Sequence, residues 1–82
     1  MENNEIKIVK YDDKLLLKSN LSKQLYQKLR NINDEYYWVM GIIEELFDDD
    51  KKLKKMIDIV DSGEYDIDKL GILSEEINEG LI

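Results

Sequence analysis

A chain of 82 residues without a single Cys or His has neither a disulfide nor a zinc centre to staple its fold, so packing alone must hold it. The apolar supply is sufficient for that. Hydrophobic residues make up 43% of the chain, and none of them is Ala. Ile, Leu, Tyr, Met and Val predominate, each stabilising by about 1.5–3 kcal/mol when fully buried. The high charge content does not point to disorder, because disordered chains of that charge lack so many large apolar side chains. The expectation is one folded domain spanning residues 1–82, with no linker or repeat inside it.

Charge is distributed unevenly along the chain. Residues 1–30 carry seven bases and four acids, whereas residues 31–82 carry five bases and fifteen acids, a net of −10. Such a field disfavours nucleic acid and anionic membranes as partners and favours a basic protein surface. The missing residue types also narrow the chemistry. Without His or Cys the chain lacks the commonest general base and the thiol nucleophile. Gly41, Gly63, Gly71 and Gly80 lie too far apart for a phosphate-binding loop. The expected protein is therefore not an enzyme and has no cofactor and no metal.

Hydropathy patterning predicts an α+β fold: an N-terminal β-hairpin over residues 5–18, followed by three or four short helices around a central aromatic helix. Ile6 and Ile8 alternate with Lys7 and Val9 at strand period, Asp12-Asp13 reads as the turn, and Leu15–Leu17 as the returning strand. A single helix from Lys14 to Arg30 is the weaker alternative, because Ser19 and Asn20 would sit in its middle. Ser19 or Asn20 is expected to cap a helix with the stripe Leu21, Leu25 and Leu29. Asn31 or Asn33 should cap the next, with Asp34 and Glu35 in its first turn. In that helix Tyr36, Met40, Ile43 and Phe47 recur at helical spacing, and Val39, Ile42 and Leu46 widen the stripe, marking it as the most buried element. A close approach by a neighbouring element would explain Gly41 in its interior. A third helix follows Asp48–Asp50 and stops at Ser62-Gly63. The last should begin near Asp66 or Asp68, with Ile67, Leu70, Leu73 and Ile77 inward and Leu81 folded back past Gly80.

Asp58-Ile-Val-Asp-Ser-Gly-Glu-Tyr-Asp-Ile-Asp-Lys69 resembles the calcium loop of an EF-hand, with acids at the first and ninth positions and Gly63 at the sixth. Its third position is Val60 and its twelfth is Lys69, where the family needs side-chain oxygens. No calcium site is expected, and the segment reads as a helix–turn–helix junction. Asp48–Asp50 reads in the same way as a capping group rather than a metal cluster. Lys51, Lys52, Lys54 and Lys55 read as a solvated helix face.

The functional expectation rests on acids beside aromatic residues. Tyr36-Tyr37-Trp38 cannot all point inward on a helix that turns about 100° per residue, and Tyr and Trp are frequent interface anchors. The candidate partner-binding residues are accordingly Glu44, Glu45, Asp48, Asp49, Tyr37 and Trp38. They suit a small acidic binding protein of the inhibitor, immunity or antitoxin type, which occupies a basic surface on a protein partner. The alternative is a structural or regulatory subunit acting through homo-oligomerisation, for instance as a homodimer, with the aromatic helix around Trp38 or the edge of the hairpin as the seam. Abundant Ile, Lys, Asn and Tyr with no Ala, Pro or Thr suggest an AT-rich bacterial, phage or plasmid origin. No stretch has the length of a signal peptide core or of a membrane span of about 20 residues, so the cytoplasm is the expected compartment.

Overall fold

A computed structural model describes residues 11–82 of the protein. Five α-helices follow in order: α1 (Asp13–Leu16), α2 (Asn20–Ile32), α3 (Tyr36–Leu46), α4 (Asp50–Ser62) and α5 (Leu70–Asn78). A 3₁₀ turn, Ile67–Lys69, leads into α5. Among the described residues there is no strand, and the architecture is a small helical bundle rather than α+β. The expected first strand lies mostly in residues 5–10, outside the described residues. Its expected partner, Lys14–Lys18, is not a strand.

The physical reason is the double use of Asp12. An Asp pair suits a turn, but Asp is equally suited to a helix N-cap. Here the Asp12 carboxylate accepts the backbone N–H groups of Lys14 and Leu15 at 3.1 and 3.2 Å and starts α1. A run of three leucines does not by itself distinguish helix from strand. Leu16 is buried and Leu17 half-buried beside it, while Leu15 is exposed, a pattern that alternation cannot give.

Ser19 separates α1 from α2. Its hydroxyl accepts the Ser22 N–H at 3.0 Å, and the Ser22 hydroxyl accepts the Ser19 N–H at 3.2 Å, forming a reciprocal capping box. Ser22 is itself buried, so the box also satisfies a polar group inside the fold. Replacing Ser19 with Ala should lower stability by about 1–2 kcal/mol, measured by urea unfolding.

Helix α3 is the central element and packs against α1, α2, α4 and α5. Val39, Met40, Ile42, Ile43 and Leu46 are buried. Phe47, expected in the core with Met40 and Ile43, is half-buried against it just beyond the helix end. α3 starts at Tyr36, so Asp34 and Glu35 precede it instead of forming its first turn. Asn33 makes an Asx turn to the Glu35 N–H at 3.0 Å. Helix α2 contributes Leu25 and Leu29 to the core, and α4 contributes Leu53, Met56, Ile57 and Val60. Asp49 caps α4, accepting the Lys51 and Lys52 N–H groups at 2.9 and 3.4 Å, and Gly63 closes it at φ 72°. The segment resembling a calcium loop is therefore helical through Ser62, and Asp58 and Asp61 project from α4.

The last segment departs from its expected pattern in two places. The 3₁₀ turn leaves Ile67 exposed, while Leu70 and Ile77 are buried and Leu73 half-buried. Leu81 donates its N–H to the Glu76 carbonyl at 2.9 Å, as the helix end with Gly80 at φ 78° requires, but its side chain is 66% exposed and does not fold back. The lysines of α4 are not all solvated either. The Lys52 ammonium donates to the Asn78 carbonyl and side-chain oxygen at 3.0 and 2.9 Å, tying α4 to the C-terminal end of α5.

Candidate partner-binding surface

Along the sequence, the segments that carry α3 and α5 hold acids and no bases, although Asp34 pairs with Arg30 of α2 at 2.7 Å and Lys52 of α4 reaches Asn78 of α5. Residues 34–50 and 70–82 together hold ten acids and no Lys or Arg. The opposite holds for α2, which carries Lys23, Lys28 and Arg30 and no acid. α2 and α5 each pack on both α3 and α4. The basic and acidic stretches are thus carried by different helices.

The six expected partner-binding residues differ in their surroundings. Glu44 and Asp48 are exposed. Glu45 is half-buried and faces α5. Asp49 is half-buried and committed to capping α4, so it serves the fold first. Tyr37 is 47% exposed and is the outward member of the aromatic triplet; Tyr36 and Trp38 are half-buried against the core. Tyr37, Gly41, Glu44 and Glu45 share one helical face by their spacing.

Tyr37 is held in place rather than left loose. Its ring meets Tyr36 edge-on, with centroids 5.2 Å apart and planes at 85°, and it lies 6.1 Å from Tyr11. Tyr36 in turn donates its hydroxyl to the Asp13 carboxylate at 2.5 Å, joining α1 to α3. A Cβ at Gly41 would meet the Tyr11 hydroxyl at 3.7 Å, an ordinary contact. Among the described residues, the neighbour over this glycine is thus a phenol and not the closely approaching backbone that the sequence suggested.

The Tyr36–Asp13 bond gives a pH signature. Donation to a carboxylate, with burial second, pushes the Tyr36 phenol from its ordinary 10 up to about 12. The folded state holds this proton more tightly than the unfolded chain does. The stabilisation is therefore complete below pH 10 and is lost as pH rises through 12. Tyr36→Phe should cost about 1 kcal/mol at pH 7, as for a single hydrogen bond, and the gap to the parent protein should close above pH 12. Urea unfolding of both proteins at neutral and strongly alkaline pH measures it.

A groove of about 300 Å³ runs between α3 and α5. Tyr37, Trp38, Gly41 and Glu45 line it from α3, and Gly71, Ser74 and Glu75 from α5. From sequence, Glu75 reads with Glu76 and Glu79 as an acidic helix face, but Gly71 and Ser74 are not singled out as part of a binding site, although the signal exists. Gly41 and Glu45 stand four residues apart, and so do Gly71 and Glu75, giving each helix a glycine followed one turn later by a carboxylate. Two other depressions are poorer candidates. One on α2 is lined by Asn20, Lys23, Gln24, Gln27 and Lys28, with no aromatic side chain. One beside Asp48–Asp50 is flanked by Lys18 and Lys51, which offset its acids.

Comparison with protein-family models, curated proteins and solved structures finds no match to this chain. Among the described residues, no helix is long and apolar enough to cross a membrane.

Proposed function

We propose that this chain is a small acidic binding protein that occupies a basic surface on a protein partner, one to one and without turnover. It acts in the cytoplasm as an inhibitor, immunity protein or antitoxin. The observation that carries this reading is the run of ten acids with no base on residues 34–50 and 70–82, beside the exposed Tyr37. Acids in excess over bases steer a basic partner toward the surface, and an aromatic anchor supplies the apolar contact that charge alone lacks.

The test combines light scattering with capture from a lysate of the source organism at low and moderate salt. A monomer that retains a basic protein at low salt and releases it at moderate salt supports the reading. Retention that ignores salt overturns it. A stable dimer that withdraws Trp38 from solvent also overturns it, in favour of homo-oligomerisation.

A further inference from the structure

We infer that the groove between α3 and α5 receives an arginine side chain presented by the protein partner. The inference rests on the reading of the acidic side as a binding surface, and it assigns that surface one receptor and one recognised group.

The groove has a small floor, an aromatic wall and two acidic rims. Gly41 and Gly71 place no side chain in it, and Ser74, buried, turns its hydroxyl to the Gly71 carbonyl at 2.6 Å. Tyr37 and Trp38 form the wall, and Glu45 and Glu75 come from opposite helices. Among the described residues, no Lys or Arg lines the groove. Its volume of about 300 Å³ is at the lower limit for a small-molecule site and is ample for one extended side chain.

Each part selects against other occupants. An anion would meet two carboxylates. An apolar side chain would strip water from both carboxylates and return no partner. A lysine ammonium satisfies a carboxylate as a point charge but offers no flat face to the rings. A guanidinium does both: its plane stacks on an aromatic face while its N–H fork donates to carboxylates on either side. The edge-on packing of Tyr37 against Tyr36 fixes the wall beforehand, which limits the ordering cost of binding.

Trp38 is the chain's single tryptophan and lines the groove, so its fluorescence reports occupancy directly. The probes are three blocked tripeptides, Gly-X-Gly, with X as arginine, lysine or citrulline. They are titrated at low salt against the full chain, with Trp38 emission and the amide resonances of Gly41, Gly71 and Ser74 as readouts. The expected result is a saturable change at these positions with the arginine peptide, several-fold weaker binding of the lysine peptide, and no response to uncharged citrulline. The double variant Glu45→Gln/Glu75→Gln should bind the arginine peptide about tenfold less tightly with an unchanged far-UV spectrum. Tyr37→Ala should also weaken binding. Equal responses to arginine and lysine, or perturbation spread over Glu44, Asp48, Glu76 and Glu79, would overturn the groove and leave a general acidic binding surface standing. Silence toward both cationic peptides at every amide would overturn the groove and that wider reading together.

Discussion

Leu46→Ala should lower the stability of this protein by about 3 kcal/mol and its melting temperature by about 12–24 °C. Leu46 is fully buried on α3, the helix that meets every other α-helix of the bundle. Truncation there removes transfer energy and leaves a cavity that a close-packed interior cannot fully close. Leu and Ala are both strong helix formers, so the loss reports packing rather than propensity. The total stability expected for a domain of this size is only about 4–12 kcal/mol, so a large share would go. Leu81→Ala is the control: its side chain is 66% exposed and its removal should change little. Urea midpoints of the two variants against the parent decide it. A cost below about 1 kcal/mol for Leu46→Ala would mean that α3 is not the centre of the core.

That centrality was legible in the sequence because the signal was strong and long. Val39, Met40, Ile42, Ile43 and Leu46 cover most of one turn after another, and no strand or loop pattern competes over that span. Helix ends at Ser19 or Asn20, within Asp48–Asp50 and at Gly63 were legible for a similar reason, since each residue type has a specific reason to stand at a helix end. What failed was short. Asp12-Asp13 and the three leucines after it fit a turn and strand as well as a cap and helix. Only the burial of Leu16 and Leu17 together, which is tertiary information, separates the two. The exposure of Ile67 has the same origin: a 3₁₀ turn shifts the register ahead of α5, and periodicity does not announce it.

The candidate surface divides in the same way. Charge runs and the aromatic triplet are local properties, and they marked Glu44, Glu45, Asp48 and Asp49 as candidate acids and Tyr37 and Trp38 as candidate rings, without telling that Tyr37 is the exposed one and Trp38 half-buried. Whether an acid is free to meet a partner depends on its neighbours. Asp49 looked equivalent to Asp48, yet it caps α4 while Asp48 does not. The groove required knowing that α3 and α5 are adjacent, so the matched glycine–glutamate spacing on the two helices acquired meaning only after the bundle was assembled.

Reversing Glu44, Glu45 and Asp48 together to Lys should slow association with a basic partner by roughly 10–100-fold at low salt while leaving the helical content unchanged. Each reversal adds two charges, so the three take the formal net charge from −7 to −1. None of the three is a cap, and none is fully buried, so the fold does not depend on them. Asp49 is left in place, because Asp49→Lys would remove the α4 cap at a cost of about 1 kcal/mol and mix a folding effect with a binding effect. Steering by exposed charges is screened beyond about 8–10 Å at physiological salt, so the parent's rate should fall steeply with ionic strength and the variant's should barely respond. Stopped-flow association with the captured partner, at two ionic strengths, separates this from an apolar mechanism. Under electrostatic steering the two proteins converge at high salt, because the difference between them is charge. If the variant associates as fast as the parent at low salt, the acids do not guide binding. An apolar seam through Tyr37 and Trp38 then accounts for the surface better.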